Sequence, residues 1–397
     1  MKNESGTTNR RDEILSPIYN TQLRENWILY LSTGFGKTKA AIDWINKYHE
    51  PNTEYIWLVP TQTLRDTDVP IELKKWNCVR NPTVLCYTSS SKIPIMVKQL
   101  RELNKKIVLI LDEAHKITKR SYDNIKGNYD NILMLTATKP KDLDKQLMLN
   151  SLLQKQYKEN IISYNINQSA DAKITADFEI HLIPFMLDNK HKTIPMGSKG
   201  KGKYNVSESY YYNRASATIN NLQRIKYAMK SKEDIEKQNK QIEFQIFNRA
   251  RFIYNLPKKQ VIAKQLINKL LESNKNKRIL IFAKLIKQIE EITPHVYHSK
   301  SSDEALNKFE KQEINILGCV DALNEGKNIT NVDTAIIIGL DSNYKNLIQR
   351  LGRICRFKEG KKAILYIVYA VDTQERVWVE SALQDIDKSR IIRHAIT

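Results

Sequence analysis

Cysteine is scarce in this sequence, and long uncharged apolar runs are missing from it. The 397 residues include four scattered cysteines, Cys78, Cys86, Cys319 and Cys355, with no close pair at metal-ligand spacing. This distribution argues against a disulfide framework or a zinc site and favours core thiols in a reducing compartment. No run reaches transmembrane length without a charge, and the first residues form no apolar signal segment. We therefore expect a cytoplasmic protein with no membrane partner.

Acidic residues are the second deficit, with 44 Asp and Glu against 64 Lys and Arg and a formal charge of +20. Such an excess can simply keep a protein in solution. It also attracts polyanions, because phosphate contacts dominate the affinity of proteins for nucleic acids. Of these two interpretations the charge favours a nucleic-acid partner. The richness in lysine, asparagine and isoleucine indicates an AT-rich genome, so we expect the cytoplasm of a bacterium or of a phage-infected host.

The apolar segments that are present predict two parallel sheets. Their continuous apolar character is typical of strands covered by helices on both faces. The first series comprises Trp27–Leu31, Tyr55–Val59, Thr83–Tyr87, Ile107–Leu111 and Ile132–Leu135. The second comprises Phe178–Phe185, Ile279–Phe282, Ile314–Leu317, Thr334–Ile338 and Ala363–Val368. Two such series predict two α/β domains, residues 12–165 and 175–397.

An insertion at about residues 188–255 is predicted inside the second domain. Residues 188–204 combine lysines with glycines and predict a flexible basic loop. Residues 207–255 are polar and helical in pattern, with the cluster Tyr210–Tyr212 and the basic Arg249 and Arg251. Two interpretations stay open: the insertion contacts nucleic acid by charge and aromatic stacking, or it only packs against its domain.

The segment Leu31–Thr38 lies between an apolar run and a helix-forming run, as in a phosphate-binding loop. Glycines let backbone amides surround phosphate oxygens, while Lys37 adds a full positive charge and Thr38 a hydroxyl for magnesium. A glycine is usual where Leu31 stands, so from this segment alone a purely structural turn stays possible. The predicted nucleotide-binding residues are Ser32, Thr33, Gly34, Phe35, Gly36, Lys37 and Thr38.

Two adjacent carboxylates, Asp112 and Glu113, follow the apolar segment Ile107–Leu111. A carboxylate at the tip of a buried strand beside such a loop can hold magnesium, and the next one can deprotonate an attacking water. A solvated turn is the alternative, but the strongly apolar strand before the pair disfavours it.

Several segments, taken in order, resemble the motifs of superfamily 2 helicases of the DEAH-box type. Leu31–Thr38, Asp112–His115, Leu135–Pro140 and Gln349–Arg356 resemble motifs I, II, III and VI. Three further segments, Val59–Leu64, Ile279–Lys284 and Val320–Gly326, are similar to motifs Ia, IV and V, and Tyr87–Ser89 lies where motif Ib is expected. The resemblance covers residues 27–375.

The resemblance implies an α/β fold of two tandem RecA-like parallel-sheet domains, with the basic, mainly helical insertion in the second. It also implies that ATP and Mg²⁺ are the cofactors and that Thr38 and Asp112 hold the metal. The implied catalytic residues are Lys37, Asp112, Glu113, Gln349, Arg353 and Arg356. The implied coupling residues are His115, Thr136, Thr138 and Gly326. The implied nucleic-acid contacts are Pro60, Thr61, Thr88, Val320 and Asp321.

The leading hypothesis is an ATP-dependent helicase or translocase, with DNA favoured over RNA because Asn324–Gly326 resembles DNA-repair and phage-type members. An RNA helicase or annealing factor and a nucleic-acid-binding scaffold with a vestigial ATPase are the alternatives. Two positions depart from the family pattern. Asn328 stands where an Asp is frequent, and Gln22 is a weak match to the glutamine that reads adenine.

Overall fold

The structure is a computed structural model that describes most of the chain. The described residues are 5–22, 24–127, 129–137, 139–140, 142–153, 160–198, 201–298, 300–320, 331–341, 347, 350–352, 354–355 and 360–396. The chain divides into two compact units. Unit 1 contains the described residues up to Phe178 and those of Ile348–Ala363, and unit 2 contains the others. The sequence-based domain limits, 12–165 and 175–397, stay predictions.

Unit 1 is built on a six-stranded parallel sheet. Its strands are β1 (Trp27–Leu31), β2 (Thr53–Val59), β3 (Thr83–Cys86), β4 (Lys106–Asp112), β5 (Asn131–Thr136) and β6 (Ile161–Tyr164). They lie in the order β3-β2-β4-β5-β1-β6, and each neighbouring pair is parallel. The first five coincide with the five predicted apolar segments. The sixth, β6, was not predicted, because this four-residue edge strand alternates exposed and half-buried residues instead of forming a buried run.

Helices cover both faces of this sheet. They are α1 (Ser5–Tyr19), α2 (Lys37–Tyr48), α3 (Val69–Lys75), α4 (Ile93–Glu102), α5 (Lys119–Ile125), α6 (Leu143–Leu152) and α7 (Ile166–Asp171). Successive residues of a strand point to opposite faces. Accordingly Leu29 and Trp57 pack in one buried cluster with Trp44, while Ile28 and Ile56 pack in the other. The prediction of a sheet buried on both faces is confirmed.

Unit 2 contains a seven-stranded sheet and a separate two-stranded one. Its strands are β7 (Asp177–Phe185), β8 (Ile194–Ser198), β9 (Lys201–Val206), β10 (Ile279–Ala283), β11 (Val296–His298), β12 (Ile316–Val320), β13 (Thr334–Ile337), β14 (Lys362–Ala370) and β15 (Ile391–Arg393). The large sheet has the order β11-β12-β10-β13-β14-β7-β15. The strand predicted at Ile314–Leu317 corresponds to β12, which begins two residues later than expected, at Ile316.

The insertion combines the small sheet with a helical hairpin. The helices of unit 2 are α8 (Glu208–Tyr227), α9 (Lys232–Tyr254), α10 (Pro257–Ser273), α11 (Ile286–Glu290), α12 (Glu304–Glu310) and α13 (Gln374–Ala382). Helices α8 and α9 confirm the prediction for residues 207–255. The prediction of a flexible loop over residues 188–204 is wrong, because β8 and β9 pair antiparallel there, with Ile194 opposite Val206 and Met196 opposite Tyr204. The sequence pattern did not reveal these apolar pairs, because lysines and glycines separate their members along the chain.

A buried ion pair ties α10 to α13 inside unit 2. Lys259 Nζ lies 2.5 Å from Glu375 Oε1, and both side chains are fully buried. The other carboxylate oxygen of Glu375 accepts a hydrogen bond from the backbone N–H of Ala370 at 2.9 Å. Glu375 thus joins two helices to the end of β14. In the described part of the chain, no helix is long and apolar enough to cross a membrane.

Candidate active site

The carboxyl ends of three neighbouring strands carry the residues that the sequence singles out. The glycine loop follows β1, Asp112 ends β4 and Thr136 ends β5. These strands are adjacent in the order β4-β5-β1 and parallel, so their carboxyl ends lie at one edge of the sheet. This edge is where ligands bind in open α/β sheets.

The loop after β1 has the backbone conformation of a phosphate cradle. Gly34 and Gly36 have φ angles of 90° and 97°, a left-handed region that is easily available only to glycine. Gly36 directly precedes α2, so the amides of the first turn of this helix border the loop. Phe35, within the loop, has a buried side chain, and its ring centroid lies 5.9 Å from that of Tyr164. Unpaired helix amides and such nests of amides bind anions.

Thr33 and Ser32 anchor the same loop to other parts of unit 1. Ser32 Oγ lies 2.7 Å from Ser169 Oγ, at hydrogen-bond distance. A Cβ atom added to Gly352 would lie 2.3 Å from Thr33 Cβ, so only glycine fits against the loop here. Thr38 is half-buried in the first turn of α2.

Lys37 and Glu113 face each other at the centre of the site. Lys37 Nζ lies 3.8 Å from Glu113 Oε1 and donates a hydrogen bond to the carbonyl of Leu31 at 3.4 Å. Glu113 has a φ of 48°, a strained left-handed conformation for a residue with a side chain. Such strain is frequent at active sites, where surrounding contacts maintain it.

The carboxyl group of Glu113 is held in its ionised form. Burial raises its pKa, but the positive charge of Lys37 and hydrogen bonds from His115 and the backbone of Ala137 outweigh that effect. Together they lower the pKa of Glu113 to about 2. At neutral pH this side chain is therefore a carboxylate that can accept a proton.

Asp112 is buried, and its position is fixed by two hydrogen bonds. Its Oδ1 accepts from the backbone N–H of Glu113 at 2.9 Å, and its carbonyl accepts from the hydroxyl of Tyr87 at 3.0 Å. Among the described residues, no group of three or more His, Cys, Asp or Glu side chains forms a metal cage. Mg²⁺ does not need one, since it binds through one or two carboxylates with phosphates and water. The carboxylate of Asp112 and the hydroxyl of Thr38 fit that donor set.

His115 continues this polar chain toward β5. Its Nδ1 lies 2.8 Å from Thr136 Oγ1 and 3.3 Å from Glu113 Oε2, and the ring is almost wholly buried. The contacts run from Lys37 through Glu113 and His115 to Thr136, and so connect the ends of all three strands. Direct contacts therefore link the loop to the end of β5.

Two protein-family models match this chain. "Type III restriction enzyme, res subunit" matches residues 7–141, and "Helicase conserved C-terminal domain" matches residues 262–358. The DNA 3'-5' translocase XPB2 of Sulfurisphaera tokodaii is 22% identical over 395 residues, with 90% of this chain and 82% of that protein covered. The chain belongs to helicase superfamily 2. It is accordingly a nucleic-acid-dependent ATPase.

Solved structures share the fold of this superfamily 2 chain. The helicase domain of Pyrococcus furiosus Hef aligns with a TM-score of 0.52 and 16% identity, covering 94% of this chain and 99% of that one. Saccharomyces cerevisiae Dbp5, bound to RNA and ADP BeF3, aligns with a TM-score of 0.58 and 12% identity, covering 97% and 89%. At these identities the likeness concerns the fold, and it supports the prediction of two tandem RecA-like domains.

The structure describes only some of the predicted nucleic-acid contacts. Pro60 and Thr61 follow β2, and exposed Thr88 lies in the turn after β3. These strands are neighbours, so the three residues lie at the same edge of the sheet. Val320 ends β12 in unit 2. Six predicted residues lie outside the described residues: Thr138, Asp321, Gly326, Gln349, Arg353 and Arg356.

One residue beside the loop was missed by the sequence analysis. A Cβ atom on Gly36 would lie 2.8 Å from Nη1 of Arg11, so this guanidinium on α1 rests directly against the loop. Arg11 thus adds a second positive group to that of Lys37. No motif of the sequence points to it, because Arg11 lies 25 residues before Gly36 and the basic residues of α1 resemble those of an exposed helix surface.

Proposed function

We propose that this superfamily 2 protein is an ATP-dependent translocase or helicase of the DEAH-box type that moves on DNA. The observation that carries the proposal is the chain of contacts from Lys37 through Glu113 and His115 to Thr136 at one sheet edge. It combines a phosphate cradle, an ionised base and a buried connection to a neighbouring strand. A turn with a purely structural role would not require these three features together.

Each group at the edge has a role in this proposal. Lys37 and the amides around Gly34 and Gly36 bind the phosphates of ATP. Thr38 and Asp112 hold Mg²⁺, which when bound neutralises charge on the phosphate oxygens. The ionised Glu113 orients the attacking water and accepts its proton. The left-handed backbone at Glu113 sets the direction of that carboxylate.

The remaining roles rest on the family resemblance. Gln349, Arg353 and Arg356 act on the transferred phosphoryl group, where an arginine finger is worth about 10³–10⁵ in rate. His115, Thr136, Thr138 and Gly326 couple hydrolysis to strand binding. Pro60, Thr61, Thr88, Val320 and Asp321 contact the nucleic-acid backbone independently of its sequence.

DNA is the proposed track for two reasons. The relative that aligns over most of this chain is described as a DNA translocase. The segment Asn324–Gly326 also resembles DNA-repair and phage-type members. RNA is the second candidate, since a neighbour in fold is bound to RNA. The net charge of +20 does not distinguish DNA from RNA, because it attracts the phosphate groups of both.

A displacement assay tests the proposed track. The wild-type chain is given ATP and matched DNA and RNA strands that carry a terminal streptavidin block, with Glu113→Gln as the inactive control. We expect ATP-dependent removal of streptavidin from DNA and little from RNA. Displacement from RNA alone would contradict the DNA assignment, and equal activity of the glutamine variant would contradict the role of Glu113.

A further inference from the structure

Two of the residues first noticed in the insertion, Tyr212 and Arg249, are used for packing. Tyr212 is buried, and its hydroxyl accepts a hydrogen bond from the backbone N–H of Gln374 at 2.7 Å. Arg249 lies 5.7 Å from the ring of Tyr212 and donates a hydrogen bond to Ser216 Oγ at 3.0 Å. These contacts hold α9 against α8 and fix the pair to unit 2. The structure therefore leaves Tyr212 and Arg249 little freedom to meet a ligand.

The opposite face of α9 carries two aromatic rings that are largely exposed. Phe244 and Phe247 are 61% and 62% exposed, which is unusual for phenylalanine. Lys240 lies four residues before Phe244 and Arg251 four residues after Phe247, so all four side chains share one helix face. We call these four residues the α9 stripe.

The charge of the insertion indicates what covers the α9 stripe. Residues 188–254 contain 14 Lys and Arg against six Asp and Glu. This region, about a sixth of the chain, thus supplies +8 of the net charge of +20. Protein interfaces are depleted in lysine, whereas nucleic acids select basic surfaces that carry aromatic side chains. Charge and exposed rings together favour a nucleic acid over a protein.

The spacing of the rings favours a single strand over a duplex. Side chains three residues apart on a helix have Cβ atoms about 5–6 Å from each other, so two neighbouring bases can each meet one ring. Bases of a duplex are already stacked on each other and offer no free face. We propose that the α9 stripe binds single-stranded DNA, with bases stacked on Phe244 and Phe247 and phosphates bound by Lys240 and Arg251. The choice of DNA rests on the proposed function.

Binding of labelled oligothymidylate to the full chain, followed by fluorescence anisotropy without nucleotide, tests the stripe. We expect Phe244→Ala/Phe247→Ala to bind about 10- to 100-fold more weakly than wild type, as is usual for lost base stacking. Phe244→Tyr/Phe247→Tyr should keep wild-type affinity. Phe244→Leu/Phe247→Leu should lose it, because leucine is apolar but cannot stack. Ile95→Ala, at an exposed apolar position in unit 1, is the matched control and should not change affinity.

The basic residues at the two ends of the stripe are tested separately, through the salt dependence of binding. Lys240→Gln and Arg251→Gln should each lower the slope of log Kd against log salt by about 0.7, the value for one phosphate contact on a single strand. An unchanged slope in both variants would contradict the phosphate contacts. Circular dichroism and thermal unfolding that match wild type would show that the variants are folded.

Four results would overturn the inference. They are wild-type affinity in the alanine variant, wild-type affinity in the leucine variant, an equal loss on duplex DNA, and tighter binding of oligouridylate than of oligothymidylate. Loss of self-association in the alanine variant, seen by sedimentation, would assign the rings to a second copy instead. The ATPase rate at saturating single-stranded DNA separates the two proposals. A wild-type chain that shows no ATPase with DNA bound, but whose binding still depends on the stripe, contradicts the proposed function and supports the stripe.

Discussion

Two lysine–glutamate pairs in this protein have the same chemistry and opposite geometry. Lys259 and Glu375 lie 2.5 Å apart and are fully buried. Lys37 and Glu113 lie 3.8 Å apart, and their side chains keep 10% and 18% exposure. The first pair is closed and holds helices together. The second pair is open: it is more widely spaced and remains partly exposed to solvent, so distance and exposure distinguish the structural pair from the pair in the candidate active site.

The two pairs also differ in what burial does to their charges. At the closed pair burial dominates, so it lowers the pKa of Lys259 and raises the pKa of Glu375, against their mutual attraction. At the open pair the charge of Lys37 and the hydrogen bond from His115 prevail over burial at Glu113. A carboxylate kept ionised in this way is in the protonation state that a proton acceptor requires.

Replacing the open glutamate should give the largest effect on activity. Glu113→Gln keeps the shape of the side chain but removes the proton acceptor, so turnover of ATP should fall by about 10²- to 10⁴-fold. Affinity for ATP should remain close to wild type. Steady-state ATPase rates and equilibrium binding of a fluorescent ATP analogue measure the two quantities. Turnover within a few-fold of wild type would rule out this role.

Breaking the closed pair should instead affect stability. Lys259→Met leaves the buried carboxylate of Glu375 without its partner, which costs about 3–5 kcal/mol in the free energy of unfolding. Lys264→Met, at an exposed position on the same helix, is the control and should change it by no more than about 0.5 kcal/mol. Urea unfolding measures both. Equal stability of the two variants would contradict the structural role of the pair.

Removing the open lysine should change the pH dependence of stability. In the wild type the lowered pKa of Glu113 contributes stability above about pH 4.3, which is lost as pH falls toward 2. In Lys37→Met the attraction of the ammonium group is lost and the pKa of Glu113 is higher than in the wild type, so the ionised carboxylate contributes less stability at every pH above that value. The deficit in Tm relative to wild type should therefore be larger at pH 8 than at pH 4. A deficit that is the same at both values would contradict the assigned electrostatics.

The smallest effect is expected from the positive group beside the loop. Arg11→Gln removes a guanidinium that lies against Gly36, so the KM for ATP should rise by about 3- to 10-fold, the net range of one hydrogen bond. Arg10→Gln, an exposed neighbour on α1, is the matched control. A KM for Arg11→Gln that equals those of Arg10→Gln and the wild type would show that Arg11 does not contact the nucleotide.

The fold was largely predictable because apolar runs report burial. Each of the five segments predicted for unit 1 became a strand, and β1 has the predicted limits Trp27–Leu31. Strands that are not buried on both faces, such as β6 and the pair β8 and β9, have no such signal. A short edge strand alternates in exposure, and the hairpin of the insertion is dominated by lysine.

The site was predictable where one local segment carries the chemistry. The glycine loop and the pair Asp112 and Glu113 each follow a strand, so parallel topology brings them to one edge. Contacts between distant segments were not predictable. Lys259 and Glu375 are 116 residues apart, and Arg11 reaches the loop from α1. Phe244 and Phe247 of the α9 stripe were overlooked because phenylalanine on a helix normally indicates a buried face.

The ATPase rate of the full chain, titrated with single-stranded DNA, tests the central claim most directly. The open pair and its neighbours are assigned to a nucleic-acid-dependent ATPase centre. We therefore predict a rate that rises with DNA to a plateau in the wild type and stays at background in Glu113→Gln. A wild-type rate at background at every DNA concentration, or stimulation that persists in the variant, would contradict the account.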